Sequence, residues 1–182
     1  DSLRTFLARL PNILAVQSLR EVASQIRRAR YLKKPIVWGI GGHVVKTGLA
    51  PVLNDLMRRG YISAVAANGS VLVHDTEIAL VGFTSEDVDA SLGKGDFGAA
   101  RETGEILNRA AKNGARDGLG LGEAMGREVL GLKPKNADAS LLCQTYKYKI
   151  PFTAHLAIGA DIGHFHAAAD GAALGQRSHT DF

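Results

Sequence analysis

The sequence is poor in cysteine: Cys143 is the only one in 182 residues. No internal disulfide is possible, and a reducing, cytoplasmic setting is expected. Cys143 closes the apolar run Ser140–Leu141–Leu142–Cys143, which favours a buried, inert thiol over a nucleophile. No uninterrupted apolar stretch approaches the ~18 residues that a bilayer crossing requires. Nor does the N-terminus resemble a secretion signal, because arginines interrupt the apolar positions between Leu3 and Ile26. Repeats, low-complexity tracts and an interdomain linker are also missing. These absences exclude a disulfide-stapled secreted domain, a membrane span and a disordered chain.

What is present is a globular composition, 46% hydrophobic, with a net charge of +4. The positive charge is concentrated at one end. Residues 1–34 carry eight Arg and Lys against Asp1 and Glu21, and the remainder is slightly acidic. Arg20, Arg27, Arg28 and Arg30 share a helical pattern whose other face is Leu19, Val22, Ala23 and Ile26. This reads as a solvated helix face, or one packed on a partner subunit, rather than a nucleic-acid arm. The chain therefore divides into basic N-terminal helices over 1–34 and one domain over 35–182. The first residue is Asp rather than Met, and the last twelve residues read as an unfinished, uncapped helical pattern. The domain is accordingly expected to be truncated at its C-terminus.

Helices are expected over Leu3–Leu10, broken at Pro11, and over Ser18–Arg30 with Ser18 as N-cap. Pro35–Ile40 reads as a short buried strand and Gly41–Gly42–His43 as the turn after it. Thr47–Arg59 reads as a helix, with Pro51 tolerated in its first turn and Gly60 as its stop. Ile62–Ala67 is a second strand. Strand, glycine turn, helix and strand within about 35 residues make the βαβ unit of a parallel sheet. Further helices are expected over Glu86–Leu92 behind Ser85, Ala99–Lys112, Glu123–Leu130 and Ala139–Tyr148, with a loop over Gly114–Gly122. Ile150–Ile158 is the third strand. The predicted class is α/β: a Rossmann-like, mainly parallel sheet with helices on both faces.

Three motifs follow the three strands. The first is Gly39-Ile40-Gly41-Gly42-His43-Val44-Val45-Lys46-Thr47-Gly48. A glycine turn between strand and helix lets backbone N–H groups approach a phosphate, and Lys46 adds charge in the first turn of the expected helix. It is neither a Walker A loop nor a strict G-x-G-x-x-G; alone, a ligand-free βα turn is at least as common, and Lys46 tips the reading toward an anion. The second is Asn68-Gly69-Ser70, followed by His74, Asp75 and Glu77. These residues suit either a solvated helix start or a general base with a ribose-binding carboxylate. The third is Gly159-Ala160-Asp161-Ile162-Gly163-His164-Phe165-His166. His164, His166 and Asp161 are metal-ligand types, but polar residues of a site at the sheet edge are the favoured reading.

Taken in order, these motifs resemble the nucleotide-binding half of deoxyhypusine synthase, above all its bacterial and archaeal relatives of undefined activity. Thr47-Gly48 matches the end of that family's first turn. Ala67-Asn68-Gly69-Ser70-Val71 with Asp75 and Glu77 resembles its second. Leu92-Gly93-Lys94-Gly95-Asp96-Phe97 echoes a later motif, and Ile150-Pro151-Phe152-Thr153 running into Asp161 and His164 resembles its last. The resemblance spans roughly Pro35 to Phe165. It implies NAD as cofactor, a homo-oligomer with sites between subunits, and chemistry on an amine. The amine-receiving carboxylate of that family falls on His164, and its first loop aspartate on Gly159. Ser91-Leu92-Gly93-Lys94 mimics its lysine motif only out of order. Deoxyhypusine synthesis itself is therefore not expected.

The expected function is an NAD-dependent transferase or oxidoreductase acting on an amine or amino-acid-like small molecule. His164, His74 and Glu77 would move protons. Gly41, Gly42, His43, Val44, Lys46 and Thr47 would hold the phosphates. Asn68, Gly69, Ser70, Asp75 and Asp161 would hold the rest of the dinucleotide. Two alternatives stay open: a non-catalytic dinucleotide-binding or oligomer-forming module, and a metal-dependent hydrolase using His164, His166 and Asp161.

Overall fold

The computed structural model describes residues 2–84 and 101–182. The chain divides into two compact units, Asp1–Ile36 and Val37–Phe182. The expected helix over Glu86–Leu92 and the motif at Leu92–Phe97 lie outside the described residues.

The first unit holds α1 (Leu3–Arg9) and α2 (Leu14–Tyr31). Ser2 caps α1 by accepting the Thr5 N–H. Arg20 donates to the carbonyls of Leu7 and Leu10, at 2.9 and 2.8 Å, which α1 leaves open at its C-terminal end. One arginine of the basic face is thereby structural. The helix does not begin at Ser18 as expected but four residues earlier, since nothing in Ala15-Val16-Gln17 stops helix propagation. Neither helix buries a residue.

The second unit is built on β1 (Val37–Ile40), β2 (Ala64–Asn68) and β3 (Phe152–His155), all parallel, in the order β1-β2-β3. Parallel strands need long crossovers, and these supply the helices. Between β1 and β2 lie α3 (Gly42–Lys46) and α4 (Ala50–Arg58). The helix expected over Thr47–Arg59 is α4, starting three residues later, and the stretch after β1, expected as a turn, forms the short helix α3. The Thr47 hydroxyl donates to the His43 carbonyl at 2.7 Å, and Gly48 at φ 79° turns the chain. The helix α5 (Gly69–Val81) starts directly from the end of β2. It is followed by α6 (Arg101–Asp117), α7 (Leu121–Gly131) and α8 (Leu141–Tyr148). The loop expected from Gly114 starts only after Asp117, because Gly114 is needed inside α6 for close contact. A Cβ there would lie 2.9 Å from that of Ala124 on α7. After β3 come a 3₁₀ turn, Ile162–Phe165, and α9 (Gly171–Asp181), capped by Asp170. Asp170 accepts the Ala173 N–H and so caps the start of this helix.

Register aligns Trp38, Val65 and Phe152, then Ile40, Ala67 and Ala154, on one face of the sheet. That face packs into a core with Leu72, Leu107, Met125, Leu142 and Leu174. Helices lie on both sides, but the cover is uneven: Val37, Gly39 and His155 on the alternate positions are exposed. The free edge of β3 is closed by α9. Asp181 Oδ2 accepts from Ala154 N at 2.7 Å, and Ser178 bonds Leu156 N and the Ala154 carbonyl. An edge strand so covered has no ladder left to offer. Among the described residues, no helix is long and apolar enough to cross a membrane.

Candidate functional site

The three strand-end motifs meet at the carboxyl edge of the sheet, where parallel α/β folds place their ligands. The turn after β1 packs on the start of α5 so closely that a Cβ on Gly42 would lie 2.7 Å from Ser70 Cβ and 3.2 Å from His74 Cδ2. At Gly41, by contrast, a Cβ would meet only Asn68 Nδ2, at 3.8 Å. Gly42 is thus a packing glycine, and Gly41 is the one that leaves the edge open. Both α3 and α5 begin without a side-chain cap and without an acid in the first turn. Backbone N–H groups at such starts suit an anion.

The third motif closes on the same place. A Cβ on Gly69 would lie 2.5 Å from Asp161 Oδ2, so the Asp161 carboxylate rests on the first residue of α5. That oxygen also accepts the Ala157 N–H at 2.8 Å. His164 Nδ1 lies 2.9 Å from the Asp161 carbonyl, which can only accept, so Nδ1 carries the proton. Its Nε2 is buried and has no hydrogen-bond partner among the described residues. Asn108, on α6, fixes this loop by donating to the Gly163 carbonyl at 3.2 Å, and its own Oδ1 is likewise buried and unpartnered. Nothing in the sequence marks Asn108. It lies 55 residues from its partner, on an ordinary helical face.

His74 and Glu77 form a dyad, with Nδ1 to Oε2 at 3.1 Å and side chains 15% and 7% exposed. They sit in the second and third turns of α5, not at a solvated helix start. The ring edge bearing Cδ2 faces the glycine turn. A carboxylate that orients one imidazole nitrogen leaves the other for proton transfer.

Other expected residues are used elsewhere. Asp75 turns away into the core, wholly buried. It accepts from Ser140 Oγ at 2.6 Å and from Leu141 and Leu142 N–H, both at 2.8 Å. Burial pushes its carboxyl pKa up, against the pull of those three donors. It caps α8 and cannot also hold a ribose. Thr47 spends its hydroxyl on the backbone, Val44 packs against the core, and Lys46 ends α3 instead of opening a long helix. His43 is exposed. The metal reading fails for a geometric reason. His166 lies against Gly104 of α6, its Nδ1 accepting from Ala168 N, and no group of three ligand-type side chains that could hold a metal exists among the described residues. Cys143 is buried, and burial raises its thiol pKa, as expected for an inert sulfur.

Comparison with known proteins gives the chain its relatives. The family model for the C-terminal Rossmann-fold domain of ArgZ-like arginine dihydrolases matches residues 20–117, more than half of the chain. The bifunctional arginine dihydrolase/ornithine cyclodeaminase AgrE of Nostoc is 30% identical over 97 residues, 53% of this chain and 14% of that protein. ArgZ of Synechocystis, described by the same two activities, is 33% identical over 96 residues, again 53% and 14%. An ornithine cyclodeaminase of Methanothermobacter thermautotrophicus is 34% identical over 79 residues, 43% of this chain and 19% of that protein. The chain therefore spans less than a fifth of the length of the curated relatives it matches. The apo crystal structure of ArgZ from the cyanobacterial ornithine–ammonia cycle superposes with a TM-score of 0.53 at 23% identity, covering 82% of this chain and 20% of that one, a likeness of fold. These matches overturn the resemblance to deoxyhypusine synthase. Its strand, small-residue turn and helix are demands of the βα unit itself, and a Rossmann domain of another family meets them equally. The chain belongs to the ArgZ-like family of C-terminal Rossmann-fold domains.

Proposed function

We propose that residues 35–182 form the dinucleotide-binding domain of an NAD(P)-dependent enzyme that acts on an amino-acid-like substrate. Residues 1–34 are proposed as a separate basic helical segment. The observation that carries this reading is the convergence at one sheet edge of an open glycine turn, two uncapped helix starts and an underused carboxylate. The pyrophosphate is assigned to the turn at Gly41–Gly42 and the start of α5 at Ser70. Asp161, whose Oδ1 makes no hydrogen bond with the described residues, suits a ribose hydroxyl or a substrate ammonium group. The cofactor would supply hydride transfer to and from the substrate carbon. This chain's own residues bind, orient and move protons: His74, held through Nδ1 by Glu77, offers Nε2 as a base, and His164 Nε2 offers a second acceptor in a drier position. The relatives named for ornithine and arginine chemistry support a substrate of that class.

Calorimetry with NAD and with NADP tests the first half. Binding of either in the micromolar to low millimolar range is expected, and no binding at millimolar cofactor sinks the reading. Product analysis with ornithine and arginine tests the second half. Cofactor binding without turnover would make the chain a binding module alone.

A further inference from the structure

A cavity of about 530 Å³ opens at the opposite, amino end of β3. Its floor is Phe152, and its walls are the first turn of α7 and the last turn of α8. We propose that it is a second small-molecule site, for a zwitterion of the α-amino-acid type. This inference stands apart from the dinucleotide reading, since none of its residues lies at the carboxyl edge.

Glu123 and Lys149 both line the cavity. Neither side chain makes an ion pair or a hydrogen bond with any described residue; only the backbone N–H of Lys149 is engaged, by the Thr145 and Tyr146 carbonyls. Each has a local rationale on its own helix, Glu123 near the positive start of α7 and Lys149 as the left-handed cap of α8, at φ 56°. Those rationales do not explain why both face one apolar hollow. Asp181, the other charged group on its wall, is committed: its Oδ2 holds the N–H groups of Gly122 and Ala154. The ligand that satisfies what remains carries one cation for Glu123, one anion for Lys149, and a short apolar body for Phe152 and Ile150. A simple amine or carboxylate satisfies only half of the site. The volume admits an amino acid with room for bound water.

The experiment titrates the whole 182-residue chain with L-norvaline, pentylamine and pentanoate, three probes of one carbon skeleton, read by amide chemical shifts. Norvaline is expected to shift Gly122, Tyr146 and Phe152 at millimolar concentration, and the two single-charge probes to bind at least tenfold more weakly. Glu123→Gln and Lys149→Gln, both at exposed positions and so compatible with folding, should each weaken norvaline about tenfold and leave NAD(P) binding unchanged. The double exchange Glu123→Lys with Lys149→Glu should restore binding in the reversed orientation. Equal binding of all three probes, shifts confined to the Gly41–Asp161 edge, or indifference to the exchanges would each overturn the proposal. Loss of NAD(P) binding in wild type would leave it standing.

Discussion

Two carboxylates touch α5, and the molecule uses them in opposite ways. Asp75 reaches from the second turn into the core and gives both oxygens to three donors of the α8 N-terminus. Asp161 comes from the loop after β3, rests on the first residue of the same helix, and gives one oxygen to one N–H of its own loop. The difference separates what holds the fold from what is left for a ligand. Around Asp75 both carboxylate oxygens are filled, because an unmet buried valence costs ~1–3 kcal/mol. At the carboxyl edge Asp161 Oδ1 and His164 Nε2 find no partner among the described residues, and Gly41 keeps the approach open. His74 and Glu77 lie between the two regimes, paired with each other but with the ring against the glycine turn.

The comparison breaks most decisively at Asp75. Asp75→Ala strands the Ser140 hydroxyl and two backbone N–H groups in a site closed to water. A loss of about 3–5 kcal/mol of stability is expected, read by urea unfolding. A loss below ~1 kcal/mol would mean that the cap is replaceable and Asp75 is free for another role. Asp181→Ala should cost less, ~1–3 kcal/mol, because its donors, Gly122 N and Ala154 N, lie nearer to water.

The pH dependence sharpens the same contrast. Burial holds the carboxyl pKa values of Asp75 and Asp181 above the ordinary aspartate value of 3.8. A raised folded-state pKa means that the folded chain keeps the proton longer than the unfolded one. The stabilising contribution of each group is therefore complete below pH 3.8 and declines as pH climbs through the raised value. The stability of wild type relative to Asp75→Asn should fall over that climb, in melts at stepped pH. A difference that grows with pH would show the three donors outweighing burial.

The two regimes were not equally legible in the sequence. The βαβ unit could be read from Pro35 to Ala67 because β-branched runs, glycine turns and a proline in a first turn act locally. The short helix α3 escaped that reading, since its separate end depends on one hydroxyl bonding back at Thr47 and on Gly48 turning left-handed. Asp75 looked like a ligand residue because His-Asp-Thr-Glu after a glycine motif is equally the sequence of a site and of a buried cap. Only the arrival of Ser140, 65 positions away, decides between them. Asn108 and Asp181 were invisible for the same reason, as their partners lie 55 and 27 or more residues distant. The glycine turn and the other strand-end motifs point to the right fold and, taken together, to the wrong family. Turn chemistry is set by backbone geometry that unrelated proteins share.

Gly41 is the cleanest point at which to separate ligand approach from packing. Its φ of −113° suits any residue, and a Cβ there meets nothing closer than 3.8 Å. Gly41→Val should therefore keep stability within ~0.5 kcal/mol of wild type. It should weaken NAD(P) tenfold or more, about 1.4 kcal/mol, by filling the space where the pyrophosphate meets the backbone. Gly42→Val is no substitute, since its side chain would strike Ser70 and lower stability and affinity together. Unchanged affinity in a folded Gly41→Val would place the cofactor away from this turn.

Lys46 gives the smallest effect and the finest test. At the last position of α3 it stands a full helical turn from the glycine turn and leaves the backbone donors untouched. It can contribute only as a charge through partly screened solvent, and that contribution decays over a Debye length of about 8–10 Å at ordinary salt. Lys46→Ala should therefore weaken NAD(P) by no more than about threefold at low salt, under 1 kcal/mol, with the gap to wild type closing as salt is raised. Paired titrations at two salt concentrations read both quantities at once. A tenfold loss that persists at high salt would mean that Lys46 contacts a phosphate directly. The anion would then sit along α3 rather than between Gly41 and Ser70, and Asp161 would lie too far along the edge to serve the same ligand.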